Sequence, residues 1–157
     1  MTDSIPVITV DGPSGSGKGM VATHFAKQYG FSLLDSGALY RSVGIAAREA
    51  GLDLDAEAVD ETALVKLTEQ LDITFSPTGD PEDPLVITLA GEDVTRRARS
   101  DEAGVYASVV AALQGVRDGL TTLQKSFRQK PGLVADGRDM GTVVFPDANV
   151  KLFLTAS

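Results

Sequence analysis

Gly12, Gly17 and Lys18 fall on the spacing G-x-x-x-x-G-K, inside the run Gly12-Pro13-Ser14-Gly15-Ser16-Gly17-Lys18-Gly19 that follows the apolar stretch Ile5 to Val10 and Asp11. Glycines at this density let successive backbone N–H groups face one concavity. A helix starting behind them adds its positive end, and Lys18 brings a mobile charge for the β- and γ-phosphates of a nucleotide. A glycine-rich turn can also be a plain connection, but the strand before it, the helix after it and the lysine in place favour phosphate binding. Met20 follows Gly19, where Ser or Thr near this point commonly supplies a hydroxyl to phosphate or metal.

Two further segments place chemistry at strand ends. Phe31-Ser32-Leu33-Leu34 reads as a buried strand closed by Asp35-Ser36-Gly37, after which Ser36, Tyr40 and Arg41 open a helix at the edge where open α/β sheets bind ligands. Leu133-Val134-Ala135 reads as another buried strand and delivers Asp136-Gly137-Arg138-Asp139. A carboxylate there can hold Mg²⁺ opposite a phosphate loop, so Asp136 is the candidate metal residue and, with Lys18 and Arg138, a candidate for the phosphoryl-transfer centre. Arg41 and Arg138 suit a second phosphate, because guanidinium forks match phosphate oxygens. The bland alternatives are a helix cap at Ser36, a turn-forming Asp136 and a surface ion pair at Arg138 and Asp139.

The elements that must position these residues follow from periodicity. A helix after the loop should bury Val21, Phe25 and Tyr29, with Ala22 and Ala26 beside them, and stop at Gly30, leaving His24 and Lys27 outward. A second helix should run from Ser36 to about Glu49, and a third from Asp53 to about Leu71, with Leu64, Leu67 and Leu71 in register and Val59 earlier. Asp72 to Phe75 and Leu85 to Leu89 read as strands, with a hairpin turn at Ala90 to Asp93. Helices are expected over about 102–113 and 116–129, the second with the stripe Val116, Leu120, Leu123, Phe127, and a last strand over Val150 to Leu154. The fold class is therefore α/β, interrupted by a small β-containing insertion.

Bulk properties narrow the function. At 157 residues, 43% hydrophobic, one domain is expected. A net charge of −8 opposes binding to long nucleic acid, which calls for a basic stripe, while leaving room for a small phosphorylated ligand held by local cations. The single His24 excludes a histidine metal cluster by count, and the absence of Cys removes disulfides and thiolate metal sites. Without a long apolar run or an N-terminal leader pattern, no membrane partner and a cytoplasmic location are expected.

Asp11 to Gly19, Leu34 to Arg41 and Ala135 to Pro146 are similar, almost residue for residue, to the signature segments of the bacterial cytidylate kinases, and the similarity runs in order along nearly the whole chain. The resemblance implies a P-loop NTPase-type parallel sheet flanked by helices, with a core over 1–52 and 130–157 and an inserted nucleotide-monophosphate-binding subdomain over about 53–129. It also implies a lid, a last strand and a last helix beyond Ser157. The implied reaction is transfer of the γ-phosphoryl group of ATP to CMP or dCMP with Mg²⁺, by a monomer. In that reading Gly12 to Met20, including Pro13, Ser14, Gly15, Ser16 and Gly19, hold ATP, while Ser36, Tyr40, Arg41 and Arg138 hold the acceptor. Ser108, Arg117 and Asp139 are implied cytosine contacts, and hydroxyl and guanidinium donors beside one carboxylate do complement O2, N3 and the N4 amino group. A nucleotide-binding module without turnover is the alternative. A switch GTPase is disfavoured, because neither N-K-x-D nor T-K-x-D occurs.

Overall fold

The computed structural model describes residues 4–55 and 57–155. Its main sheet is parallel, with strands β1 (Val7–Asp11), β2 (Ser32–Asp35), β6 (Leu133–Gly137) and β7 (Val150–Phe153) in the order β2-β6-β1-β7. β1 and β6 are buried almost throughout, as expected of strands covered on both faces, and Val7, Val10, Leu33, Leu34, Leu133 and Val134 form the heart of the core. The register pairs Asp35 with Asp136 and Asp11 with Gly137, so three neighbouring strands carry an aspartate in their last two residues at one edge. Asn149 locks β7 on, accepting from the Val7 amide at 2.9 Å and donating its own amide to the Val7 carbonyl at 3.0 Å.

Helix α1 (Lys18–Tyr29) lies against this sheet through Ala22, Thr23 and Ala26 and ends at Gly30, whose left-handed φ of 68° suits a residue without Cβ. The expected stripe is thereby corrected: Tyr29 is half exposed and Val21 and Phe25 are only partly covered, because small side chains let the helix approach the sheet closely. The displaced aromatics stack on one another, Tyr29 lying 6.1 Å from Phe25 and 5.6 Å from Phe31 between ring centres.

The chain divides into two compact units, one of residues 1–36, 75–86 and 124–157, the other of 37–74 and 87–123. The second holds most of α2 (Ser36–Glu49), with α3 (Glu61–Glu69), α4 (Thr95–Ala98) and α5 (Asp101–Ala111). Helix α6 (Gln114–Ser126) follows, with Val116 and Leu120 fully buried. α3 begins only at Glu61, because Asp60 caps it by accepting from the Ala63 amide. The stretch before it turns instead of continuing the helix, and Ala56 within it lies outside the described residues. Strands β3 (Ile73–Pro77), β4 (Leu85–Leu89) and β5 (Glu92–Asp93) make a separate three-stranded sheet. The turn between β4 and β5 is narrower than expected: Ala90 and Gly91 alone adopt positive φ, 51° and 82°, and Glu92 already pairs with Leu89. Among the described residues no helix is long and apolar enough to cross a membrane.

Candidate active site

Within the first unit, the loop between β1 and α1 is shaped by its glycines. Gly12 needs both freedom and space, with φ of 153° and a position where a Cβ would come 2.5 Å from the Leu154 carbonyl oxygen. Gly17, at φ 85°, turns the chain into α1. The Ser16 hydroxyl is buried in this loop without a hydrogen-bond partner among the described residues, an arrangement that costs free energy until an acceptor or donor reaches it. Such an orphan at the start of a helix fits an incoming phosphate oxygen. Pro13, Ser14 and Gly15 form the exposed rim of the loop, and Gly19 and Met20 begin the helix. Met20 is 53% exposed and lines a cleft of about 530 Å³ beside α1, together with His24, Lys27 and Pro81.

Lys18 reaches across to β6. Its Nζ donates to Asp136 Oδ1 at 2.9 Å, and the carboxylate is nearly buried while the lysine keeps partial access to water. Burial, then the Asp35 carboxylate, push the Asp136 carboxyl up to about 6, against the opposing pull of Lys18; Asp11 adds to the rise. Asp136 thus carries negative charge that one lysine only partly answers. No three Asp, Glu or His side chains converge as a ready metal cage among the described residues. A single strained carboxylate beside a phosphate loop nevertheless fits Mg²⁺, which takes one or two carboxylates and completes its octahedron with phosphate oxygens and water.

Asp11 has a different task, which sequence reasoning missed. Its two carboxylate oxygens accept from the amides of Met140 and Gly141 at 2.8 and 2.9 Å, inside a π-helical turn over Met140–Val144. The Asp139 carbonyl accepts from the Val143 and Val144 amides, so Asp11 and the turn together fix the exit of β6, where Arg138 and Asp139 stand exposed. Arg138 reaches back to the phosphate loop, donating from Nη2 to the Ser14 hydroxyl at 3.3 Å. Ser36 is buried at the end of β2 beside Gly137, where a Cβ would come 3.1 Å from the Ser36 Cβ. The first unit therefore gathers the loop, Lys18, Asp136, Arg138, Asp139 and Ser36 around one sheet edge. The signal for the missed Asp11 and Asp35 was present, since each ends an apolar strand as Asp136 does.

The second unit organises its candidates differently. Arg41 donates from Nη1 to the Ala98 and Ser100 carbonyls at 2.8 and 3.2 Å, and its Nη2 lies so near Gly104 that a Cβ there would come within 3.1 Å. Ser108 sits one turn further along α5 and donates to the Gly104 carbonyl at 3.2 Å. Tyr40 is half-buried next to Arg41 on α2. Arg117 is exposed on α6 and hydrogen-bonds Gln114 on its own helix. Arg41 and Ser108 thus share the Gly104 neighbourhood, whereas Arg117 stays with its own helix.

Comparison with known proteins agrees with this architecture. The family model for cytidylate kinase matches residues 8–157. The cytidylate kinase of Stutzerimonas stutzeri (strain A1501) is 56% identical over 157 residues, all of this chain and 66% of that protein. The cytidylate kinase of Pseudomonas syringae pv. tomato is 56% identical over 152 residues, 97% of this chain and 64% of that protein. The chain spans just under two thirds of the length of these curated relatives. With the matching segment running from β1 through the phosphate loop, the Asp136 strand and β7, the chain belongs to the cytidylate kinase family.

Proposed function

We propose that the protein transfers the γ-phosphoryl group of ATP to CMP or dCMP, acting as a cytoplasmic monomer, with residues of about 53–129 serving as the acceptor-binding insertion. The observation that carries the reading is the Lys18–Asp136 pair beneath a phosphate loop that holds an orphaned hydroxyl, in a chain of this family. The backbone from Gly12 to Gly19 cradles the donor phosphates, and Lys18 transfers its charge from Asp136 to them as they arrive. Asp136, released from Lys18, is the residue that would hold Mg²⁺, which when bound neutralises charge on the transferring group. Arg138, Arg41, Tyr40 and Ser36 orient the acceptor phosphate, whose oxygen attacks directly in line, so no side-chain nucleophile is needed. Ser108, Arg117 and Asp139 select cytosine; uracil would set its O4 against the Asp139 carboxylate and leave polar groups unmatched.

A coupled assay of ADP release with CMP, dCMP, UMP and AMP tests this. Turnover with CMP and dCMP well above the other two is expected, and equal or better turnover of UMP or AMP overturns the assignment. ATP binding without turnover of any monophosphate by this chain would mark it as a nucleotide-binding module.

A further inference from the structure

The second unit carries cations that the reading above leaves unused. Arg48 on α2 and Arg96 and Arg97 on α4 line a cleft of about 360 Å³ together with Ser100 at the start of α5 and Tyr106 in its middle, and it closes on the buried Ile45 and Ala103. No residue of the phosphate loop lines it. In a chain of net charge −8, three guanidinium groups in one small cleft repel one another unless anions answer them.

The protein's own anions answer only part of this charge. Arg97 is paired with Glu49 at 2.5 Å. Arg48 lies over the Tyr106 ring, 5.0 Å from its centre, and 3.8 Å from the exposed Asp55; stacking leaves the N–H groups in the guanidinium plane free to donate. Arg96 is exposed, and its side chain has no hydrogen-bond or ion-pair partner among the described residues. Glu102 is the one carboxylate in the lining itself, and with Glu49 on Arg97 and Asp55 near Arg48, Arg96 is the cation left to answer an incoming anion. The wall from Ser100 is also the N-terminal end of an 11-residue helix, where the Ser100 hydroxyl accepts from the Ala103 amide. Asp101 and Glu102 in the first turn offset much of that helix end, which leaves the arginines as the main attraction.

We propose that this cleft binds a small anion bearing a diphosphate or longer polyphosphate group, at a site separate from the phosphate loop. Guanidinium forks take phosphate oxygens two at a time, which distinguishes such a site from a diffuse basic surface. The volume falls at the lower end of small-molecule clefts, roughly 300–1,000 Å³, and suits a compact anion. Ser100 gives the site a local consequence, because its carbonyl also accepts from Arg41. An anion held by Arg96 and Arg97 therefore steadies the short segment to which Arg41 is tied.

Calorimetric titration with inorganic pyrophosphate into the Lys18→Ala protein, in which the phosphate loop is weakened, tests the proposal. Binding is expected to survive Lys18→Ala and to weaken by about tenfold or more when Arg96→Ala and Arg97→Ala are added. Loss of binding with Lys18→Ala alone, or retention after both arginines are removed, overturns the proposal. A parallel titration with ATP separates the sources: binding of both ligands indicates any polyphosphate, and binding of pyrophosphate alone indicates the inorganic anion. Should the arginine variant fail to fold, hydrogen exchange on the Lys18→Ala protein decides. Slower exchange over residues 96–106 in the presence of pyrophosphate supports the site, and unchanged exchange there contradicts it.

Discussion

The phosphate loop and the Arg41 segment both bring cations to irregular backbone, yet they commit them in opposite ways. At the loop, Lys18 faces a single buried carboxylate that is itself under repulsion, and the Ser16 hydroxyl has no partner among the described residues. Around Arg41, the guanidinium is bonded to two backbone carbonyls and packed against Gly104. The first arrangement is high in free energy and improves when phosphate arrives. The second is satisfied before any ligand comes, so it can orient an acceptor only with the donors it has left over. Removing Lys18 should therefore damage chemistry and leave the fold intact, whereas removing Arg41 should damage both.

Lys18→Ala is expected to lower kcat by about 10³-fold in the coupled assay, with thermal stability close to that of the parent, because charge stabilisation at the transferring phosphoryl group is lost. A loss of tenfold or less would place the charge elsewhere. Arg41→Ala is expected to raise KM for CMP by about 10²-fold and to lower stability by about 1–2 kcal/mol, since two carbonyls lose a charged donor. An altered KM with unchanged denaturant midpoint would break the contrast, because it would mean that the carbonyl clamp contributes nothing to the fold.

Asp136 sharpens the comparison through pH. Burial and the Asp35 carboxylate push its carboxyl up to about 6 in the folded protein, against an ordinary 3.8. The folded state therefore binds this proton more readily than the unfolded chain, so the group's contribution is present below about pH 4 and is lost as pH rises through about 6. The span, in which the opposing pull of Lys18 is already included, corresponds to about 2–3 kcal/mol. Asp136→Asn should flatten that part of the stability profile and raise the melting temperature at pH 7, while abolishing turnover. A profile between pH 4 and 6 unaltered by the substitution would remove the claim that the site is strained. The smallest effect is expected at the exposed Asp139, where Asp139→Ala should reduce the preference for CMP over UMP by about tenfold with little change in stability. Unchanged discrimination would take Asp139 out of base recognition.

The phosphate loop and the Asp136 strand were legible in sequence because each depends on neighbours within a few residues: glycines at fixed spacing, and an apolar run ending in a carboxylate. The Arg41 clamp was not, since its acceptors lie 57 and 59 residues away and are backbone carbonyls that any side chain can carry. The π-helical turn escaped for a similar reason, because what holds it is Asp11, about 130 residues earlier, accepting from two amides. Helix α1 misled through hydrophobic size. Val21, Phe25 and Tyr29 outweigh Ala22, Thr23 and Ala26 on any apolarity scale, but close approach to a sheet favours the smaller set. Asp60 could be read as a cap, and giving it more weight than the leucine periodicity would have begun α3 at Glu61.

The central claim is that the first unit holds a phosphate site poised by the strain at Asp136. Calorimetric titration of Mg-ATP into the parent chain and into Lys18→Ala tests it most directly. The account predicts saturable binding to the parent and an affinity lower by about tenfold or more in the variant; equal affinities would contradict it.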